Sequence, residues 1–404
     1  MITRRKKLRT EETLWLHERA PRVPVARLAR DVRTDVLIVG AGITGAMTAQ
    51  ALSEAGFDVI IADRRAPGRG ATAASTALVQ YELDSPLLEL SKAIGAKNAA
   101  RTWRRARLAL DNLRALFRRL EIDAQKRDEL YLAGNRLNAT QLQKESGLRR
   151  AIGLDNVYLT AGEVEARFGL RQRAALMSFD NLTINPRRAT AELLLHARAN
   201  RARIYAPTEI VDIEIRKAGL AARTRDGPVI RARWIVLATG YEFPKIVPMR
   251  GHRVTTTWAF ATRPQPRKVW PEECMIWEAA RPYLYLRTTQ DGRVICGGED
   301  APRAKRPADD ADMDSKLALL QAKLARLLPD LDTRADFVWA ASFGETNNSM
   351  PTIAPVPRYR NCWAALGYGG NGIVYSRIAA EIIASAFSGR RDADADLYAF
   401  EARR

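Results

Sequence analysis

The chain has 404 residues, of which 47% are hydrophobic, and its 65 Lys+Arg against 46 Asp+Glu give a formal net charge of +19. This length and composition are typical of a globular protein with two connected domains. The sequence lacks a run of about 18 apolar residues, so it indicates neither a membrane span nor a secretory signal, and we expect a cytoplasmic location.

The positive charge raises the question of a nucleic-acid or membrane partner. Arginine is scattered along the whole chain, and the dense blocks are RRKK near the start and RTWRRAR at 101–107. Because no aromatic stacking platform interleaves these charges, we expect no specific nucleic-acid partner. Peripheral contact of RRKK with an anionic membrane stays open.

The cysteines do not suggest a structural bridge or a metal centre. Cys274, Cys296 and Cys362 are widely spaced and form no CxxC pattern. This spacing argues against both a disulfide framework and a zinc site, so buried, reduced thiols and no metal are expected.

The chain begins with a basic polar arm at 1–32, in which TEETLWLHE predicts a short helix capped by Thr10. The next segment, TDVLIVGAGITGAMTAQALSEAGFDVIIAD, reads as an apolar strand, a glycine turn, an alanine-rich helix and a second apolar strand. This order predicts a βαβ unit of about thirty residues.

The glycine turn carries the spacing of a dinucleotide site. Gly40, Gly42 and Gly45 form GxGxxG directly after the strand and at the start of the helix. Glycines there permit a tight turn and a close approach of the backbone to a pyrophosphate, and the helix start attracts the phosphates. Asp63 ends the second strand, where a carboxylate can accept hydrogen bonds from ribose hydroxyls. The unit therefore predicts a bound dinucleotide.

The middle of the chain alternates helical and strand patterns. Helices are predicted at 87–121, in NATQLQKESGLRRAIG and in PRRATAELLLHARAN, where Pro186 is well placed to start the helix; DELYLAG reads as a strand. The stretch from 210 to 240 reads as a β-meander that ends in a strand buried on both faces. Residues 254–300 form a second β-rich region with a QDGR hairpin turn, followed by a helix that Pro329 ends.

Three features favour FAD over NAD. The strand RWIVLATG, far along the chain, completes the sheet that the βαβ unit starts, and GRGATAASTALVQ at 68–80 offers small and hydroxyl-bearing residues to a diphosphate and ring system. A second glycine turn, ALGYGGNGI, opens a helix about 325 residues after the first, where its start would stabilise negative charge on a reduced flavin ring. The expected cofactor-contacting residues are Gly40, Gly42, Ile43, Thr44, Gly45, Asp63, Arg64, Ala71, Thr72, Ser75, Thr76, Ile210, Val211, Ala238, Thr239, Gly240, Gly369, Gly370, Asn371, Gly372 and Ile373.

From about Thr34 to Phe400 the chain resembles the D-amino-acid-oxidase superfamily of FAD-dependent oxidoreductases, which includes glycine and sarcosine oxidases and D-amino-acid dehydrogenases. The resemblance rests on VLIVGAGITG, GATAAST, VLATG, YLYLRTTQDGRVICGGED and GYGGNGI. It implies an α/β fold with a Rossmann-like FAD-binding domain and a second α+β substrate domain built on a mainly antiparallel sheet. We assign 33–97, 184–243 and 336–404 to the first domain and 98–183 and 244–335 to the second.

The resemblance also implies a substrate arginine, and Arg287 occupies the matching position. A guanidinium forms a bidentate pair with a carboxylate, and Tyr283 and Tyr285 alternate with Arg287 along one strand, so all three are expected on one face. Tyr285 and His252 are further catalytic candidates, although a core aromatic and a plain domain-junction histidine remain the alternatives. Related chains commonly have Asp-Gly-Leu-Pro where this one has NNSMP at 347–351.

We therefore expect an FAD-dependent oxidoreductase that oxidises the amine-bearing carbon of a small amino acid or N-substituted glycine by hydride transfer to flavin. The substrate is expected to carry a carboxylate, and FAD to be noncovalent, since no cysteine lies in an attachment motif. A 2-hydroxy-acid or polyol dehydrogenase is one alternative. A flavin-containing subunit that binds a partner chain through the arm is another, and the oligomeric state stays open.

Overall fold

A computed structural model describes residues 2–3, 5–10, 12–170, 173–248, 251–302, 310–346 and 349–400. The helices are α1 Leu14–His17, α2 Ile43–Glu54, α3 Leu87–Ile94, α4 Ala96–Arg119, α5 Ala139–Ala151, α6 Ala161–Phe168, α7 Pro186–Ala199, α8 Asp310–Leu327 and α9 Gly372–Phe387. The strands are β1 Val32–Val39, β2 Val59–Ala62, β3 Leu78–Val79, β4 Ala124–Leu132, β5 Asn156–Leu159, β6 Ala175–Ile184, β7 Arg203–Tyr205, β8 Ile210–Arg216, β9 Gly219–Thr224, β10 Val229–Leu237, β11 His252–Thr262, β12 Met275–Glu278, β13 Leu284–Thr288, β14 Val294–Pro302, β15 Ala335–Thr346, β16 Thr352–Val356 and β17 Tyr359–Leu366.

The first sheet has a parallel centre in the order β7-β2-β1-β10-β17. β16 adds an antiparallel edge beside β17, and β8 and β9 form an antiparallel extension on β10. The last four residues of β1, Val36–Val39, are all buried. The apolar run in the sequence is uninterrupted because helices cover one face of this strand and the β8–β9 extension covers the other.

The second sheet follows the order β15-β11-β14-β13-β12-β4-β6-β3, with β5 paired to β6. Every pairing in it is antiparallel except that of β12 with β4. The predicted fold class, a Rossmann-like α/β domain with a second domain on a mainly antiparallel sheet, is therefore confirmed. The QDGR turn links β13 and β14, with Gly292 at φ +79°.

Several local predictions need correction. The predicted helix 87–121 is two helices, α3 and α4, because Gly95 lies between them at φ +83°. The cap of α1 is Thr13 instead of Thr10, and the Thr10 hydroxyl accepts a hydrogen bond from Ala340 N at 3.2 Å. The arm therefore attaches to the second sheet before its short helix begins.

The predicted domain boundaries also differ from the sheets. α4, assigned by sequence to the substrate domain, packs with α9 in the core that covers the first sheet. β15, assigned to the FAD domain, forms the edge of the second sheet, and β3 also belongs to that sheet. The alternating and helical patterns identify elements but do not state which sheet each one joins, since that depends on contacts far apart in the chain.

A buried group of charged side chains lies where α5 meets the second sheet. Arg149 Nε donates to Glu145 Oε1 at 2.9 Å, and both side chains are fully buried. Glu82 and Glu129 are fully buried nearby, and Trp277 Nε1 donates to Glu129. Burial raises the pKa of the Glu129 carboxyl, and the charge of Glu82 raises that pKa further. Glu129 therefore holds its proton to a higher pH in the folded chain than in the unfolded one.

We expect Glu129→Gln to gain stability relative to the wild type as pH rises. Because the folded-state pKa is raised, the contribution of Glu129 to stability is complete at any pH below its unfolded-state pKa, about 4.3 for glutamate. This contribution is lost as the pH rises through the folded-state pKa. Glutamine stays neutral and still accepts from Trp277, so the stability of the variant relative to the wild type should be greater at pH 8 than at pH 5. Urea midpoints at the two pH values measure this.

Glu145→Gln is the matched control, because it makes the same change from acid to amide but leaves Arg149 without its carboxylate. This control should be less stable than the wild type at both pH values. Equal urea midpoints for Glu129→Gln and the wild type at pH 8 would contradict a proton held by Glu129.

Candidate active site

At the first glycine turn, the backbones of β1, α2 and the end of β10 lie very close together. Gly40 has φ +118°, and a Cβ on it would lie 2.2 Å from the carbonyl oxygen of Ala238. A Cβ on Gly45 would lie 1.9 Å from the carbonyl oxygen of Gly40. Side chains are therefore excluded here, and the start of α2 remains open to a ligand's phosphates.

The segment after β2 lies across the start of α2. Ile43 N donates to Thr72 Oγ1 at 3.1 Å, and a Cβ on Gly42 would lie 3.1 Å from the same oxygen. The first N–H groups of a helix lack acceptors within the helix. The hydroxyl of Thr72 satisfies one of them and fixes the 71–74 turn beside the helix start.

Asp63 lies at the end of β2 and borders a cavity beside the first glycine turn. Its Oδ2 accepts from Ala41 N and its Oδ1 from Arg65 N, each at 2.7 Å. Burial raises the pKa of the Asp63 carboxyl, while these two N–H donors lower it. The two hydrogen bonds fix the plane of the carboxylate beside the glycine turn, and each oxygen keeps a further lone pair for a donor.

The second glycine turn is tied to the segment that follows β3. Asn371 Nδ2 donates to Glu82 O at 2.6 Å, and its Oδ1 accepts from Asp84 N at 3.0 Å. Gly370 N donates to Asp84 Oδ2 at 2.7 Å. The N–H of Gly370, which the sequence assigned to the flavin ring, is thus already engaged by a carboxylate.

The two helix starts border one continuous cavity. Thr44 Oγ1 in α2 and Ser376 Oγ in α9 lie 2.8 Å apart, and the two helices pack along each other. The predicted cofactor residues that line this cavity are Gly40, Gly42, Ile43, Thr44, Asp63, Arg64, Ala71, Thr72, Ser75, Thr76, Ile210, Ala238, Thr239, Gly240, Gly369, Gly370, Asn371, Gly372 and Ile373.

Two predicted cofactor residues lie outside the lining. Gly45 is packed against the carbonyl of Gly40, so it shapes the turn from within. Val211 lies in β8 next to a register shift, and its neighbours Glu209 and Ile210 border the cavity in its place.

Arg287 does not line the cavity. Its side chain is buried, and Nη1 donates to Ala77 O at 2.8 Å and to Ile184 O at 3.0 Å. Burial lowers the pKa of Arg287 to about 9, so the guanidinium is still charged at neutral pH. The predicted contact with a substrate carboxylate is not supported by this geometry, because backbone carbonyls occupy the guanidinium.

The other two catalytic candidates have different positions. Tyr285 lines the cavity, with its hydroxyl 3.4 Å from Thr257 Oγ1. His252 begins β11 behind the wall: a Cβ on Gly367, a lining residue, would lie 2.5 Å from His252 Nε2. Among the described residues that line the cavity, none is a histidine or a cysteine.

Sequence reasoning missed the contribution of the arm. Ile2, Thr3 and Leu8 line the cavity beside the first glycine turn. Lys6 N donates to Glu242 Oε1 at 2.7 Å, and Arg5 pairs with Glu209. A basic arm opposite two buried glutamates could have been suspected from charge, but no local pattern identified the partners.

Sequence reasoning also missed Asp84 and Tyr241, which line the wall where the cavity meets the second sheet. Trp277 and Tyr283 line the same wall, and the ring centroid of Tyr283 lies 5.7 Å from that of Tyr285. Two signals were available: Tyr241 follows the predicted Gly240 directly, and Asp84 follows the strand that ends the predicted 68–80 segment.

The loop that departs from related chains lies partly outside the described residues, since 347 and 348 are not among them. Ser349 Oγ lies 2.8 Å from Ser85 Oγ, which connects this loop to the segment that carries Asp84. Within the described part of the chain, no group of histidine, cysteine and acidic side chains could hold a metal ion, and no helix is long and apolar enough to span a bilayer. All three cysteines are buried free thiols.

A family model described as DAO, FAD dependent oxidoreductase, matches residues 35–386. The chain is 26% identical over 391 residues to a gamma-glutamylputrescine oxidoreductase of Escherichia coli, covering 93% of this chain and 89% of that protein. It is 27% identical over 383 residues to a glycine oxidase of Pseudomonas aeruginosa, covering 88% of this chain and 95% of the relative.

Solved structures resemble the fold as a whole. Glycine oxidase from Geobacillus kaustophilus superposes with a TM-score of 0.75 at 20% identity, covering 89% of this chain and 96% of that one. L-proline dehydrogenase from P. horikoshii gives a TM-score of 0.77 at 17% identity, covering 91% and 97%. At these identities the likeness concerns the fold alone.

We expect Gly45→Ala to disrupt the site although Gly45 lines no cavity. The added methyl would overlap Gly40 O, so the turn must shift, at a cost of about 2 kcal/mol or more. Thermal unfolding and the visible flavin absorbance that survives gel filtration measure the result. Gly147→Ala, at an exposed position of α5 with no atom near the new methyl, should be neutral or slightly stabilising. Normal flavin content in Gly45→Ala would contradict the crowding.

Proposed function

Because the chain belongs to the DAO family of FAD-dependent oxidoreductases, we propose that it oxidises the carbon that bears the amine of a small molecule. The observation that carries the proposal is the cavity, which extends from the first glycine turn to the aromatic wall on the second sheet. A dinucleotide held at one end thus has its reactive ring beside a pocket built by the other domain.

The chain is an oxidoreductase with noncovalent FAD, and its residues fit that cofactor. A Cβ on Gly40 would fill the space that the backbone needs at the turn, and Asp63 is fixed by two backbone donors. We assign the phosphates to the start of α2, the ribose to Asp63, and the flavin to the region between the 71–76 segment and the start of α9.

The residues of the second sheet exclude water from the reacting carbon. Trp277 stacks on Tyr131 with ring centroids 4.0 Å apart, and it forms the wall together with Tyr283 and Tyr285. When bound, FAD would supply the two-electron acceptor for a hydride from the carbon that bears the neutral amine, leaving an iminium ion that water hydrolyses. A strong base is not required if the amine is already neutral, which agrees with a lining whose described residues include no histidine.

The relatives support an amine in preference to an alcohol. The names of the two relatives compared above, gamma-glutamylputrescine oxidoreductase and glycine oxidase, both denote substrates with a C–N bond. The amino-acid hypothesis and the 2-hydroxy-acid alternative shared Arg287 as a carboxylate ligand, and because Arg287 instead donates to Ala77 O and Ile184 O, it favours neither. The partner-subunit alternative depended on a free arm, whereas Ile2, Thr3 and Leu8 form part of the cavity wall.

A panel of substrates tests the proposed reaction. We expect anaerobic mixing of the purified protein with amines and amino acids to bleach the visible flavin absorbance, and 2-hydroxy acids and polyols to leave it unchanged. Stopped-flow absorbance gives the rates. Bleaching by hydroxy acids alone would favour the alternative dehydrogenase, and a flavin that none of these compounds reduces would favour a subunit with a binding role.

Arg287→Lys tests whether Arg287 acts on the substrate. Lysine cannot donate in the fixed geometry that reaches both Ala77 O and Ile184 O, so stability should fall by about 1–3 kcal/mol. The ratio of kcat/KM for a carboxylate-bearing amine to that for its carboxylate-free analogue should stay within about twofold. A selective drop of tenfold or more for the carboxylate-bearing compound would restore the role predicted from sequence.

A further inference from the structure

The first residues of the arm border the end of the cavity that we assign to the ribose. Ile2 belongs to the same apolar cluster as Ala62, the residue before Asp63. Thr3 Oγ1 accepts a hydrogen bond at 3.3 Å from Nη1 of Arg64, the residue after Asp63. All five residues line the cavity. In FAD the ribose belongs to the adenosine half, so the arm starts beside the place assigned to the adenosine.

The start of the arm is docked on the first domain through its main chain. Lys245 N donates to Ile2 O at 2.7 Å, and Thr3 forms an isolated bridge with Pro244. The side chains of Ile2 and Thr3 are buried as well, since the two residues are 5% and 7% exposed. This part of the arm is therefore a built portion of the cavity wall.

Two acids of the cavity lining anchor the next residues of the arm. The guanidinium of Arg5 pairs with the carboxylate of Glu209, and Lys6 N donates to Glu242 Oε1 at 2.7 Å. Hydrogen bonding from Arg5 lowers the pKa of Glu209 to about 2, so this carboxylate is charged at neutral pH. The arm is thus attached by charge at the point where it passes the cavity.

The arm then reaches the second sheet. Leu8 O accepts from Ser342 N, in β15, at 2.8 Å. Leu8 Cδ1 lies 3.8 Å from the place that a Cβ on Gly70 would occupy. Leu8, Gly70 and Ser342 all line the cavity. Between Thr3 and Leu8 the arm therefore runs along the cavity, from the ribose end to the other domain.

We propose that residues 2–8 form a strap over the adenosine half of FAD, in which Ile2 packs against the adenosine and the strap must detach before the cofactor leaves. An aliphatic side chain gains free energy when it covers the apolar face of a purine and removes it from water. The inference goes beyond the proposed amine oxidation, since it depends on the bound dinucleotide alone.

Deletion of residues 2–8 tests the strap directly. FAD should leave the variant holoenzyme about tenfold or more faster than the wild type, because the adenosine half is then open to water. The rise in flavin fluorescence after dilution of the holoenzyme gives the release rate, and no turnover is needed. A release rate within about twofold of the wild type would overturn the proposal.

Arg5→Met loosens the strap at its charged anchor, and Arg225→Met is the matched control. Arg225 Nε also donates to Glu209, at 2.8 Å, but this arginine follows β9 and is not part of the arm. Each variant removes one positive charge beside the same carboxylate. FAD release should accelerate about three- to fivefold in Arg5→Met and stay within about twofold of the wild type in Arg225→Met. Equal acceleration in both variants would assign the effect to Glu209 and overturn the strap.

Ile2→Asn tests the contact with the adenosine, and Leu8→Asn is the control at the other end of the strap. Neither variant changes the charge, and the two residues are similarly buried. ADP carries the adenosine half without the flavin, so it should compete with FAD uptake by the full-length chain stripped of flavin. Its inhibition constant should rise about threefold or more in Ile2→Asn and change by less than about twofold in Leu8→Asn.

The ADP measurements also contain the results that would overturn the adenosine contact. These results are a wild type in which ADP does not compete, an inhibition constant that Ile2→Asn leaves unchanged, and an equal rise in the two variants. Because FAD release and ADP competition need no substrate, a failure of the proposed reaction leaves both readouts intact.

Discussion

The fold depends on a close backbone contact where β1 ends. Gly40 and Gly45 bring that turn against the end of β10 at distances that leave no room for a Cβ. The contact fixes the start of α2 relative to the parallel sheet, and α9 packs along α2. Both helix starts therefore face one cavity, although about 325 residues separate them in the chain. Every assignment of a cofactor or substrate group follows from this arrangement.

Local patterns in the sequence named many of the residues that line the cavity. The GxGxxG spacing, the acid at 63 and the second glycine turn are local, and nearly all the cavity residues named from them line the cavity. Arg287 shows the limit. Strand alternation places it on the face of Tyr285, but the carbonyls of Ala77 and Ile184 cover that end of the strand. The alternation of residues along a strand does not reveal which distant segment of the chain crosses the end of that strand.

Charge distribution shows the same dependence on distant contacts. The net charge of +19 raised the question of an external partner. Several arginines near the cavity are matched by acids of the chain itself. Arg65 pairs with Glu242 at 2.8 Å, and Arg225 with Glu209 at 2.8 Å, and both acids also hold the arm. The arginines beside the first glycine turn are thus matched by acids that line the same cavity. A composition total cannot reveal that pairing.

The N-terminal arm bridges to strands of both sheets. Arg9 forms an isolated bridge to Ala341 in the second sheet, and Ala26 to Tyr205 in the first. Between them, Trp15 Nε1 donates to Ser75 O at 2.6 Å. Any motion that separates the two sheets must therefore break the contacts of the arm with at least one of them. Because Ile2, Thr3 and Leu8 of the same arm line the cavity, cleavage near residue 20 would leave that part of the cavity wall held by noncovalent contacts alone.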